Sequence, residues 1–118
     1  MKRDMDLVRE ILLATENKSD FSSWLVPDIE GYTKLEIYYH IKLLIQAGLV
    51  EGENLSSDSG DKWVIKTLTS TGHDFLDASR NDTIWNKAKD SIKSKGLSLT
   101  FDLLKMALND AVMSQFKG

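Results

Sequence analysis

The segment 33–47 alternates apolar and polar residues with a period of three to four, which predicts an amphipathic helix. Thr33 is a suitable N-cap, and Glu36 occupies the position that completes a capping box. Gly48 follows and can take the left-handed conformation that ends a helix. The apolar positions share one face: Ile37, Ile41 and Leu44. We therefore expect this face to be buried and the opposite face to remain available to a partner.

Apolar spacing and turn residues likewise predict further helices and strands in the rest of the chain. Asp4 is the expected N-cap of the first helix. The polar stretch NLSSDSGD separates two strand-like segments and is the expected tip of a hairpin. The pattern predicts a helix over 4–16, a strand over 24–26, the helix over 33–47, hairpin arms over 49–53 and 63–67, and helices that begin near 69, 82 and 98.

This order of elements predicts an α+β fold, a winged helix with two extra C-terminal helices. A helix, a short strand, a helix, a β-hairpin wing and a helix would form a core over 4–80, and the additional helices an extension over 82–116. A length of 118 residues favours a single domain, 1–118. Only residues 17–32 separate the first two helices, so the helix that usually precedes a recognition helix must be one turn long or absent.

Composition narrows the class of protein. The chain has 42% hydrophobic and 28% charged residues, which is typical of a soluble globular protein. No apolar run approaches the roughly 20 residues needed to cross a bilayer, and the first residues contain no hydrophobic signal-peptide core. The absence of cysteine excludes disulfides and thiolate catalysis. We expect a cytoplasmic protein that does not bind membranes.

Two resemblances support this fold. The segment TKLEIYYHIKLLIQAGLVEG, at 33–52, resembles the recognition helix and first wing strand of bacterial winged-helix repressors, and LTSTGHDFL, at 68–76, resembles the segment that follows their wing. Segments 1–12, 30–52 and 68–89 and the final helix, which together span almost the whole chain, also resemble a family of small bacterial and phage proteins catalogued as a domain of unknown function (2513-like). That resemblance implies a winged-helix core and a bacterial or prophage setting, but no activity, substrate or partner.

The outer face of the 33–47 helix is the candidate nucleic-acid-binding surface. Lysines there could contact phosphates, and tyrosines could contact bases or sugars. The candidate residues are Thr33, Lys34, Tyr38, Tyr39 and Lys42. The wing opposes this hypothesis, because its carboxylates outnumber its single lysine and would repel a DNA backbone. The wing charges are Glu51, Glu53, Asp58 and Asp61 against Lys62. The net charge of the chain, −3, provides no independent argument for phosphate binding.

A second basic cluster, of four lysines, lies on the predicted fourth helix: Lys87, Lys89, Lys93 and Lys95. Lysines near a helix C-terminus oppose its dipole favourably, so we interpret them as a solvated face. The last helix is apolar over more than one stripe and must bury two sides. Either the fourth helix covers its second side, or two copies of the chain associate through it. The candidate dimer or partner surface is Phe101, Leu104, Leu108 and Val112.

The sequence contains no apparent catalytic apparatus. His40 lies among apolar residues and is expected to be packed and hydrogen-bonded, and His73 with Asp77 provides only two potential metal ligands. We therefore expect no enzyme activity, no metal and no cofactor. The leading function is nucleic-acid binding and transcription regulation, with double-stranded DNA as the partner. The alternative is a protein–protein interaction module that has lost DNA binding and uses the acidic wing or the apolar last helix.

Overall fold

The computed structural model describes residues 1–117, and within them it contains five helices and one two-stranded antiparallel sheet. The fold class is α+β, as predicted. The elements in chain order are α1 (Met5–Glu16), α2 (Lys34–Gln46), β1 (Val50–Asn54), β2 (Trp63–Leu68), α3 (Ser70–Ser79), α4 (Asp82–Lys93) and α5 (Phe101–Lys117). Each predicted helix and each hairpin arm is present, with ends within about three residues of the predicted ones.

The helix ends follow the local signals in the sequence. The Asp4 carboxylate accepts hydrogen bonds from the backbone N–H groups of Asp6 and Leu7, which caps α1. Thr33 and Glu36 form the complete capping box at the start of α2. Gly48 has a φ of +75° and lets the chain turn from α2 into β1. These caps confirm the predicted starts of α1 and α2.

The predicted strand at 24–26 is almost absent. Leu25 forms a single isolated bridge with Ile65 of β2, and no helix or longer strand occurs in the described segment between α1 and α2. Pro27 has no N–H to donate and cannot extend the pairing. Trp24 is 46% exposed and so lies outside the buried core. Its ring instead lies 4.8 Å from the Lys66 ammonium.

The hairpin of β1 and β2 carries an irregularity that a glycine accommodates. Its register shifts between Glu51 and Gly52. A Cβ on Gly52 would lie 2.2 Å from the Val64 carbonyl oxygen, so only glycine fits at this close approach of the two strands. The bulge increases the local twist of the hairpin.

By backbone contacts the chain divides into two compact units, Met1–His73 and a second that begins at Asp74. In the first unit, α1 and α2 pack against each other and against the hairpin. The predicted inner stripe of α2 is confirmed, because its members are at most 2% exposed: Ile37, Ile41 and Leu44. The start of α3 packs tightly in this unit, since a Cβ on Gly72 would lie 1.9 Å from the Leu49 carbonyl oxygen.

In the second unit, α4 and α5 pack against each other. The Phe75 ring packs edge-on against Trp85 and Phe101, with centroid distances of 6.4 and 6.1 Å. Leu104 and Leu108 are fully buried. These two leucines therefore belong to the core of a single chain, and the prediction that they lie on a free dimer surface is wrong. None of the helices in residues 1–117 is long and apolar enough to span a bilayer.

Candidate functional site

The outer face of α2 carries a second stripe, opposite the buried one. Leu35, Tyr38, Tyr39 and Lys42 follow each other at three- and four-residue intervals, so they line one side of the helix. Leu35 is 51% exposed, and the other three are half-buried. A surface helix normally presents a charged face to water. The outer stripe of this helix instead presents a leucine and two tyrosines beside a single lysine.

This stripe borders an open cleft of about 240 Å³, which we name the α2 cleft. Two further segments of the first unit complete its walls: the chain start and the part of the hairpin where β2 begins. The lining residues are Met1, Leu35, Tyr38, Tyr39, Lys42, Asp61 and Trp63. The cleft thus combines three aromatic rings and apolar side chains with one ammonium group and one carboxylate.

Lys42 and Trp63 connect α2 to the hairpin across the cleft. The Lys42 ammonium lies 5.8 Å from the centroid of the Trp63 ring, within the range of a cation–π interaction. Aromatic rings of this kind can stack on a planar or cationic group, and the ammonium group can pair with an anion. The arrangement is suited to binding.

The structure brings together three of the five residues predicted to contact nucleic acid. Tyr38, Tyr39 and Lys42 line the α2 cleft. Thr33 is exposed, but its hydroxyl accepts the Glu36 backbone N–H at 3.1 Å and so serves as the helix cap. Lys34 is exposed on the first turn of α2, outside the cleft lining.

A buried polar cluster fixes the position of α2 against α1. His40 is 1% exposed; its Nε2 accepts the Asp4 backbone N–H at 2.8 Å, and its Nδ1 lies 2.8 Å from the Glu36 carbonyl oxygen. Nδ1 must therefore carry the proton, and the ring is held in one tautomer. The expectation of a packed, hydrogen-bonded histidine is confirmed. The cluster ties the inner face of α2 to the first residues of the chain.

Tyr32 completes this cluster from the turn that precedes α2. Its hydroxyl donates to Asp4 Oδ2 at 2.8 Å, while the other carboxylate oxygen caps α1. This hydrogen bond to a carboxylate, together with partial burial, raises the pKa of Tyr32 to about 12. One aspartate thus holds the chain start, the turn and α2 together.

Charge around the α2 cleft is mixed. Lys34 is exposed on α2 and Lys62 is exposed just before β2, and Lys2 follows the cleft residue Met1. The carboxylates of the hairpin are all exposed: Glu51, Glu53, Asp58 and Asp61. The lysines would attract a phosphate group, and the carboxylates would repel it. The cleft is therefore not a simple basic groove.

The remaining sequence candidates lie elsewhere. Lys87, Lys93 and Lys95 are exposed on or just after α4, while Lys89 packs its ammonium 5.4 Å from the Trp85 ring. His73 and Asp77 are exposed on α3. Within the part of the chain that the structure describes, no group of three potential metal ligands occurs.

Four cleft residues were not predicted as site residues: Met1, Leu35, Asp61 and Trp63. Leu35 could have been found, because its spacing to Tyr38, Tyr39 and Lys42 defines a second stripe on α2. The position of Trp63 depends on how the hairpin packs on α2, which no local pattern specifies.

Comparison with known proteins confirms the family resemblance. Residues 2–98 match the model of a family described as "Hypothetical protein (DUF2513)". An uncharacterized protein of Haemophilus influenzae is 44% identical over 106 residues, which are 89% of this chain and 90% of that protein. No solved structure matches the chain. The chain belongs to the DUF2513 family.

Proposed function

We propose that this protein is a non-enzymatic nucleic-acid-binding factor of winged-helix type, which acts in the cytoplasm as a transcription regulator. It docks the outer face of α2 on duplex DNA and uses no cofactor. The observation that carries the proposal is the open α2 cleft, where Tyr38, Tyr39 and Lys42 meet Trp63. A helix whose inner stripe is fully buried and whose outer stripe stays open is held rigidly enough to dock.

The winged-helix assignment is supported by the order and pairing of elements in the first unit. α1, the Leu25 bridge, α2, the β1–β2 hairpin and the start of α3 follow in the expected sequence. Leu25 pairs with Ile65 of β2 and so adds a minimal third strand beside the hairpin. With no helix between α1 and α2, the His40–Asp4 hydrogen bond positions α2 in place of a bracing helix.

Binding of a short labelled mixed-sequence duplex, followed by fluorescence anisotropy, tests this function. We expect affinity to fall steeply between about 50 and 200 mM salt, because each contacted phosphate releases counterions. Lys34→Ala and Lys42→Ala should each weaken binding and reduce the salt slope by about 1. Lys93→Ala, an exposed lysine on α4, is the matched control and should leave affinity unchanged. Affinity lost in Lys93→Ala but not in the α2 variants would refute the proposal.

A second candidate function, recognition of a basic protein segment, is favoured by the exposed carboxylates of the hairpin. An arginine or lysine of such a partner could stack on Trp63 and pair with Asp61. The triple variant Glu51→Gln/Glu53→Gln/Asp58→Asn separates the two functions. It should strengthen duplex binding if DNA is the ligand, because repulsion is removed. It should weaken binding of an oligo-arginine peptide if a basic protein is the ligand.

A further inference from the structure

The outer face of α5 carries an exposed apolar stripe that neither the α2 cleft nor the core uses. Met106 is 64% exposed, Met113 is 43% exposed and Phe116 is 86% exposed. Together with the exposed Asn109 they follow intervals of three and four residues, so all four lie on one side of the helix. We name this set the α5 stripe. It differs from the surface predicted from the sequence, of which Leu104 and Leu108 are buried.

We propose that the α5 stripe is a homodimer interface, in which two copies of this chain pack their α5 helices in parallel about a two-fold axis. The spacing of the stripe is that of a coiled-coil seam. Met106 and Met113 are seven residues apart and occupy equivalent positions, as do Asn109 and Phe116. Because a two-fold interface uses the same patch on both copies, each of these side chains meets its own counterpart.

Charge complementarity selects a second copy as the occupant and sets its direction. Lys105 and Asp110 lie on opposite flanks of the stripe, five residues apart. In a parallel pair of helices this spacing places Lys105 of one copy beside the partner subunit's Asp110, on both sides of the axis. An antiparallel pair would instead bring the two copies of Asp110 together. Asp102 lies one turn before Met106 and would meet its own counterpart in a parallel pair. Because these like charges would repel each other, the contact begins at Met106.

The length of the stripe predicts a reversible dimer. It covers three turns of α5, which is short compared with the standard interface of about 1,600 Å². Exposed apolar side chains of this size on one face are nevertheless uncommon in a protein that stays monomeric. We therefore expect the oligomeric state to depend on protein concentration.

Sedimentation velocity over a concentration series tests the interface on the full chain. Met113→Gln/Phe116→Gln should raise the dissociation constant of the dimer at least about tenfold, because it removes apolar contact at two positions. The matched control is Phe21→Gln, since Phe21 is likewise 78% exposed but lies outside α5. A chain that stays monomeric at all concentrations, or a dimer equally stable in both variants, would overturn the proposal.

Two further measurements test the parallel direction. The chain contains no cysteine, so Asn109→Cys introduces a single thiol that meets its counterpart in a parallel dimer and should oxidise to a covalent dimer. Gln115→Cys, exposed on the opposite side of α5, should not. Lys105→Asp and Asp110→Lys should each weaken the dimer, and the double variant should restore it. Absence of the Asn109→Cys cross-link, or no recovery in the double variant, would overturn the parallel arrangement.

Discussion

Removal of the His40 side chain tests how α2 is held in place. In His40→Ala the buried imidazole is lost, the Asp4 backbone N–H loses its acceptor, and a cavity opens between α1 and α2. Truncation of a large buried side chain costs about 2–5 kcal/mol, and a partly buried donor left without a partner adds about 1–3 kcal/mol. We expect a total loss of about 4 kcal/mol in the free energy of unfolding.

The variant His40→Phe separates packing from hydrogen bonding. It retains an aromatic ring of similar size but cannot accept the Asp4 N–H, so we expect it to lose about 2 kcal/mol. His73→Ala is the matched control, because His73 is exposed and its substitution should change stability by less than about 0.5 kcal/mol. Urea unfolding followed by far-ultraviolet circular dichroism provides the measurement. If His40→Ala is as stable as His73→Ala, or if His40→Phe is as stable as the natural chain, the reasoning is wrong.

Other variants test the hydrogen bonds and the close packing. The folded-state pKa of Tyr32 is about 12 and exceeds the ordinary value of 10.0. The Tyr32 hydrogen bond therefore stabilises the fold fully below pH 10, and this stabilisation is lost as the pH rises through 12. Tyr32→Phe should remove the latest tyrosine step in an ultraviolet titration. The Asp20 carboxylate accepts the backbone N–H and hydroxyl of Ser23 and the Ser22 N–H, which lowers its pKa to about 2. Its stabilisation is present above pH 4 and lost as the pH falls through 2, so Asp20→Asn should flatten the acid dependence of stability in that range. Gly72→Ala should destabilise by about 3 kcal/mol or more in urea unfolding, because its Cβ would clash with the Leu49 carbonyl, whereas Ser70→Ala on the same turn should cost less than about 1 kcal/mol.

Local patterns in the sequence predicted the elements because each signal acts within a few residues. Asp4, the Thr33–Glu36 capping box and Gly48 set helix ends through hydrogen bonds and backbone conformation close by in the chain. The strand predicted at 24–26 is reduced to a single bridge because of its tertiary surroundings. Its β-favouring residues have only Ile65 to pair with, and Pro27 interrupts the backbone donors.

The candidate site was only partly predictable. The tyrosines and Lys42 were found because the outer face of α2 follows directly from its inner stripe. Trp63 and Asp61 reach the α2 cleft through the packing of the hairpin on α2, which is a long-range contact. The exposed apolar side of α5 was not identified from the sequence, because α5 is apolar on two sides and periodicity alone does not say which side packs on α4. The structure assigns Leu104 and Leu108 to the core and leaves Met106, Met113 and Phe116 exposed.

The most direct test of the central claim, that the outer face of α2 is the recognition surface, is a map of nuclear magnetic resonance shift changes on adding duplex DNA at low salt. We predict changes in the backbone amides of 33–42 and in the Trp63 indole N–H, with little change in the Lys87–Lys95 segment. Shift changes confined to that lysine segment, or no changes at all, would contradict the account.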